Sequence, residues 1–158
     1  MIIVLSCEKT KDQPVGDVVI NEVMPVNSST AADQDGEYDD WIELYNITDK
    51  SIDISGYYLS DKTSNILKWQ IPAGTTINGN GYLIIWADED STQIGLHSNF
   101  KLSSTGEVVI LSKSDGTILD EIIFSAQTME LSYSRFPNGT GNFKWQNPTF
   151  GKTNDHSK

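Results

Sequence analysis

Residues 107–124 read EVVILSKSDGTILDEIIF, and this stretch decides the fold class. Two runs rich in β-branched and aliphatic residues, 107–113 and 117–124, lie on either side of the dipeptide Asp115-Gly116. Because glycine tolerates the positive φ of a tight turn, the dipeptide predicts a β-hairpin between two strands. The segment therefore predicts antiparallel β-structure.

The chain on both sides of this hairpin repeats the pattern of short β-rich runs separated by turn residues. The other predicted strands are residues 18–23, 41–45, 51–55, 57–59, 68–71, 82–87 and 131–136. Residues 82–87 (YLIIWA) are apolar on both faces, which predicts a strand near the middle of a packed sandwich. From residue 147 the chain is polar. Many short strands without helical periodicity predict an all-β antiparallel sandwich.

Composition excludes several classes of protein. The 158 residues suit one domain with a core of its own. The 11 basic and 22 acidic residues give a net charge of −11, whereas a nucleic-acid binder needs clustered Lys and Arg to displace counterions. No nucleic-acid partner is therefore predicted. Cys7 is the single cysteine, so the sequence has no disulfide framework and no cysteine-based metal site.

The first seven residues, MIIVLSC, form a short apolar run that ends in a small residue and Cys7. This pattern resembles the end of a bacterial lipoprotein signal, in which the cysteine receives the lipid. The run is shorter than the ~7–15 apolar residues of a signal, so a frayed strand with a chance cysteine is the alternative. We predict a signal-like segment and tether over residues 1–16, a domain over 17–154 and a polar tail over 155–158. The lipid anchor at Cys7 is the only predicted membrane contact.

Six segments, taken in order, resemble the lamin-tail domain, an immunoglobulin-like sandwich found in nuclear lamins and in many bacterial secreted proteins. They are VVINEV (18–23), DWIELYN (40–46), IDISGYYLSD (52–61), IIWA (84–87), FKLSSTGE (100–107) and FPNGTG (136–141). The resemblance implies an immunoglobulin-like antiparallel β-sandwich that serves as an accessory domain. The bacterial type fits better, because the sequence shows no coiled-coil heptads, prenylation box or basic flank.

Residues that could support catalysis are few. The two histidines, His97 and His156, stand in no motif for nucleophilic catalysis. Glu22 and Glu43 could in principle perform acid–base chemistry on a sugar. Acidic residues on the exposed face of a strand are usually solvated or paired, so the sequence predicts that the protein is not an enzyme. A carbohydrate-acting enzyme remains the less favoured alternative.

The acidic loop, residues 33–40 (DQDGEYDD), places alternating carboxylates around a glycine. Carboxylate oxygens are the ligands that Ca²⁺ prefers, so the loop predicts a calcium site. Its predicted ligands are Asp33, Asp35, Glu37, Asp39 and Asp40. The alternative is a solvated loop whose charge prevents pairing at a sheet edge.

Trp41 and Tyr45 alternate with Ile42 and Leu44, so they belong to the opposite, outer face of their strand. We predict that they bind a ligand, with core or sheet-edge packing as the alternative. Together these features predict a non-catalytic binding or adhesion module of a bacterial cell-envelope lipoprotein. It would lie outside the cytoplasm and recognise protein or glycan. A structural spacer or assembly domain is the alternative function.

Overall fold

The computed structural model describes Pro14 and residues 16–127 and 130–154. Cys7, the predicted lipidation site, and His156 lie outside the described residues. The described residues form eleven strands and no helix. In chain order the strands are β1 Val18–Met24, β2 Trp41–Asn46, β3 Ile52–Asp53, β4 Tyr58–Ser60, β5 Trp69–Gln70, β6 Thr76–Ile77, β7 Tyr82–Trp86, β8 Gly106–Ser112, β9 Ile118–Ser125, β10 Ser132–Phe136 and β11 Asn142–Gln146.

Two antiparallel sheets make up the fold. The larger has the strand order β11-β10-β1-β2-β7, and the smaller has the order β5-β4-β8-β9. Strands β3 and β6 pair as a separate short ribbon. The prediction of an all-β antiparallel sandwich is confirmed.

The predicted hairpin forms between β8 and β9. The backbone N–H of Lys113 donates to the carbonyl of Thr117 over 2.9 Å, and that of Gly116 donates to the carbonyl of Lys113 over 3.0 Å. Gly116 has φ 84°, a left-handed conformation that residues with a side chain rarely adopt. The turn chemistry read from Asp115-Gly116 is therefore the reason why the two strands pair in this register.

The core lies between the sheets and follows from the alternation of side chains along each strand. Ile42 and Leu44 of β2 are fully buried in it, as are Val109 and Leu111 of β8. The aromatic rings of Tyr133, Phe143 and Trp145 pack against its border. The predicted alternation of β2 is thus present in the structure.

Two strand predictions are wrong. Residues 82–87 were expected near the middle of the sandwich, but β7 is an edge strand of the larger sheet. Its second apolar face is covered by other parts of the chain, as the next subsection describes. Regular structure also continues past Phe136, because β11 pairs with β10 along its whole length. The alternation of Phe143 and Trp145 with polar residues over 142–146 is a strand signal that the prediction missed.

A buried ion pair connects the two sheets. The guanidinium of Arg135 (β10) donates to both carboxylate oxygens of Asp120 (β9) over 2.8 and 2.9 Å, and Arg135 is fully buried. The β1–β2 register shifts between Ile20 and Glu22. The backbone N–H of Ile20 donates to Asp120 over 2.8 Å, and the Ile20 carbonyl accepts from Arg135 over 2.9 Å. The pair therefore satisfies the backbone of β1 where its pairing is irregular.

Replacing Asp120 by alanine should lower the free energy of unfolding by about 3–5 kcal/mol, because Arg135 would remain as a buried, uncompensated charge. Urea denaturation followed by tryptophan fluorescence measures the change. Asp49→Ala, the same substitution at an exposed carboxylate, is the matched control and should stay within about 0.5 kcal/mol of the parent. A loss equal to that of the control would contradict a structural role for the pair.

Candidate functional site

A second hydrophobic cluster lies on the outer face of the larger sheet, opposite the core. This outer cluster consists of Met24, Trp41 and Trp86, with Phe150 packed against them. The ring centroid of Phe150 is 5.0 Å from that of Trp41 and 5.6 Å from that of Trp86. Trp41 is fully buried. The outer face of the sheet is therefore not open to solvent at this point.

The segment that covers the outer cluster is the C-terminal strap, residues 147–154. It follows β11 and crosses strands β1 and β2, where two carboxylates receive it. The backbone N–H and the hydroxyl of Thr149 donate to Glu22 over 2.9 and 2.5 Å. The backbone N–H of Gly151 donates to Glu43 over 2.7 Å. These bonds hold Phe150, the residue between the two donors, against the tryptophans.

Glu22 and Glu43 are directly opposite each other in the β1–β2 register, and both are fully buried. Burial, followed by the neighbouring Glu22 carboxylate, raises the pKa of Glu43 to about 8. Hydrogen bonds from Asn21 and from the backbone of Gly151 oppose this rise in the pKa. The Glu43 carboxyl that accepts from Gly151 of the strap therefore changes its charge near pH 8.

Amide side chains fix the end of the strap. The side chain of Asn154 donates to the carbonyl of Asn21 over 3.0 Å, and its backbone N–H donates to Asn138 over 3.1 Å. Asn21 in turn donates to Glu43 over 2.7 Å and accepts from the backbone N–H of Gly139 over 2.9 Å. The network thus joins the irregular part of β1, the β10–β11 loop and the strap.

The two aromatic residues predicted to bind a ligand lie on the outer face of β2, as the alternation predicted. The buried ring of Trp41 has no surface left for a ligand in this arrangement. Tyr45 is half-buried, and its ring centroid lies 4.8 Å from that of Tyr82 on β7. Trp41 follows the alternative prediction, in which the ring packs inside the protein, because the strap covers it. Ligand binding by Tyr45 stays a prediction.

The acidic loop packs against residues 88–97, and its carboxylates turn to different partners. Asp33 accepts from the backbone N–H groups of Asp35 and Glu37 over 2.9 and 2.8 Å. Asp35 accepts from the backbone of Ile94 over 3.3 Å, and Glu37 from the side chain of Gln93 over 3.0 Å. Three of the five predicted ligands are therefore occupied in hydrogen bonds that shape the loop.

Asp39 and Asp40 complete the predicted calcium set. Burial, then the carboxylates of Asp88 and Asp33, raise the pKa of Asp39, and burial raises the pKa of Asp40 to about 7. One oxygen of Asp33 and one of Asp39 are buried without a hydrogen-bond partner in the described part of the chain. Among residues 16–127 and 130–154, however, no three His, Cys, Asp or Glu side chains are placed to hold a metal ion. The calcium site stays a prediction.

His97 is buried beside this loop and contacts Asp88. Its Nδ1 lies 2.6 Å from an Asp88 carboxylate oxygen, and its Nε2 lies 3.2 Å from the carbonyl of Ile94. Burial opposes protonation of the ring, but the hydrogen bonds to Asp88 and Ile94 prevail and raise the pKa of His97. Because both ring nitrogens face oxygen acceptors, His97 fixes the conformation of residues 88–97 and has no nitrogen left to act as a base.

The alternative of a sugar-cleaving carboxylate pair finds little support in this geometry. Such a pair must reach a substrate, whereas Glu22 and Glu43 lie under the strap and accept hydrogen bonds from it. Both are fully buried, whereas the sequence predicted that they lie on an exposed strand face, solvated or paired. The strap residues that bind them were not predicted from the sequence. The available signal was Phe150, a large aromatic side chain in an otherwise polar tail.

Stability should fall as pH rises from about 5 to about 9. The pKa of Glu43 is near 4.5 in the unfolded chain and about 8 in the folded protein, so folding takes up a proton between these values. The stabilisation is complete below pH 4.5 and is lost as pH rises through 8. Thermal melts across this range should show the fall, and Glu43→Gln should make it shallower, with the raised pKa of Asp40 still contributing. Glu89→Gln, at an exposed carboxylate, should leave the slope unchanged.

If the acidic loop binds calcium, millimolar Ca²⁺ should raise the melting temperature, because an ion that binds only the folded state stabilises it by mass action. Mg²⁺ should act less, since it requires a tighter octahedral shell. Asp33→Asn with Asp39→Asn removes charge from the two unpartnered oxygens and should abolish the calcium increment, whereas Asp49→Asn should not. Equal shifts with Ca²⁺, Mg²⁺ and NaCl of matched ionic strength would refute the site.

Comparison with known proteins agrees with the all-β sandwich. The family model described as Lamin Tail Domain matches residues 11–125, which include strands β1 to β9. No curated protein matches the chain. The match spans more than half of the sequence, and the antiparallel sheets agree with the immunoglobulin-like fold of that family. The chain therefore belongs to the lamin tail domain family.

Proposed function

We propose that the protein is a non-catalytic binding module of a bacterial cell-envelope lipoprotein and that its partner at the cell surface is a protein. The lamin tail domain is an immunoglobulin-like and generally non-catalytic family, which supports a binding role. The observation that carries the proposal is the exposed edge of β9. Ile123, on this strand, is 63% exposed.

Strand β9 is the longest of the sandwich and lies at the edge of the smaller sheet. In the described part of the chain it pairs only with β8. An unpaired edge offers backbone N–H and C=O groups to a strand from another chain, and proteins usually protect such edges with charge or cover. Here Ile118 and Ile123 are exposed instead. An extended segment of a partner could pair with this edge and place apolar side chains beside the isoleucines.

A cleft of about 140 Å³ opens next to this edge, between β9 and the β10–β11 hairpin. The rings of Tyr133 and Phe143 line it and stack with their centroids 5.1 Å apart. Glu121 lies on its border. A cleft with two aromatic rings in its wall and a carboxylate at its border favours a partner segment that carries an apolar anchor and a basic residue.

The same proposal places the protein outside the cytoplasm, held by a lipid on Cys7. The apolar run that ends at Cys7 supports this location. No helix of the described residues has the length and apolar character of a membrane span. In the native host the parent protein should fractionate with membranes, and Cys7→Ala should release it. A parent protein found in the cytoplasmic fraction would refute the anchor.

Replacing Ile123 by aspartate should abolish capture of a protein partner from envelope extract, because a charge on the apolar edge opposes docking. The full chain serves as bait, and quantitative mass spectrometry compares the captured proteins. Ile94→Asp is the matched control, since Ile94 is 71% exposed but lies in a loop and not on β9. Circular dichroism verifies that both variants keep the β-fold.

Partners lost with Ile123→Asp and kept with Ile94→Asp would support the β9 edge. Equal capture by both variants would exclude this edge as the binding surface. A glycan array tests the remaining class of ligand. If neither partner proteins nor glycans bind, the protein is a structural spacer instead.

A further inference from the structure

The outer face of the larger sheet contains a groove that the strap fills. Its floor consists of Met24, Trp41 and Trp86, and the carboxylates of Glu22 and Glu43 lie beside it. We propose that this groove also accepts the strap of a second copy of the chain, so that two molecules exchange their C-terminal straps. The exchange is independent of the β9 edge, which belongs to the other sheet.

The strands that form the groove are different from the strand that leads into the strap. Its floor and carboxylates come from β1, β2 and β7, whereas the strap follows β11 at the far edge of the sheet. Thr149 and Gly151 bind the sheet through hydrogen bonds to Glu22 and Glu43. An identical strap from another molecule presents the same donors and the same phenyl ring, so the groove can make the same contacts with it.

The link between β11 and the strap is short and stiff. β11 ends at Gln146, and Asn147 and Pro148 precede the first anchoring residue, Thr149. Proline fixes its own φ and restricts the preceding residue to extended conformations. Short, restrained hinges favour domain swapping, because the segment can meet an equivalent site on a second molecule when the hinge opens.

Two features of the closed arrangement favour exchange. Phe150 has φ 42°, a left-handed backbone conformation that residues with a side chain rarely adopt. The indole N–H of Trp41 is buried and has no hydrogen-bond partner in the described residues, which is unfavourable for a polar group. These two costs lower the free energy needed to open the strap, so that an identical strap from a second molecule can take its place.

The acceptor function of the groove is tested first in the full chain with Phe150→Ala, which empties the groove of its ring. The probe is the synthetic peptide NPTFGKTN, the sequence of residues 147–154. We expect a saturable change in tryptophan fluorescence as the peptide covers Trp41 and Trp86. The same peptide with alanine in place of phenylalanine should bind about tenfold more weakly or not at all.

Phe136→Ala is the matched protein control, because Phe136 is an exposed phenylalanine away from the groove. In the Phe136→Ala variant the chain's own strap still fills the groove, so the peptide should compete poorly for it. If circular dichroism shows that Phe150→Ala does not fold, Phe150→Leu takes its place, since leucine keeps part of the apolar contact. A folded variant that ignores the peptide would overturn the proposal.

Exchange between whole chains is tested by deleting Asn147, which shortens the link so that the strap no longer reaches its own groove without distortion. Native mass spectrometry should show a dimer that increases with concentration, and Phe150→Ala in the same chain should return it to monomer. A shortened chain that stays monomeric would overturn the exchange. If the peptide nevertheless binds, the groove accepts a free strap, but whole chains do not exchange theirs.

Discussion

The contact between Arg135 and Asp120 is the constraint on which the sandwich depends. It joins β10 of the larger sheet to β9 of the smaller one and satisfies the backbone of Ile20 where β1 is irregular. The Arg135 guanidinium also donates to the carbonyl of Gly141 and lies over the ring of Phe143. One side chain therefore fixes the distance between the sheets, the course of β1 and the position of the β10–β11 hairpin.

The larger sheet is covered on both faces where the strap crosses β1 and β2. Antiparallel sheets commonly leave one face in contact with solvent, so this second cover is unusual. One face carries the core, and the other carries the outer cluster and two buried glutamates. Two opposed carboxylates are unfavourable in such a place unless donors surround them. Thr149 and Gly151 supply these donors. The strap and the glutamate pair therefore stabilise each other, and together they hold Phe150 in position.

Most of the fold was predictable from patterns within neighbouring residues. The features that depend on contacts between residues distant in sequence were not. The hairpin at Asp115-Gly116 and the alternation of Trp41 with Ile42 are properties of neighbouring residues, so the sequence revealed them. The edge position of β7 depends on which strands pair, and its apolar outer face is explained by contacts with residues distant in sequence, such as Phe150. Glu22 and Glu43 resemble solvated strand residues for the same reason. No local pattern shows that Arg135 has a buried partner on another strand.

The place of β10 in the larger sheet has a practical consequence for anyone who shortens the protein. The family match ends at residue 125, and a fragment cut there would lack β10, β11 and the strap. Strand β1 would then have an open edge, and Asp120 would face the core without its cation. Such a fragment should aggregate during expression, because two unprotected edges, β1 and β9, would invite pairing between molecules. The smallest fragment with a closed sandwich and a covered outer face extends to Asn154.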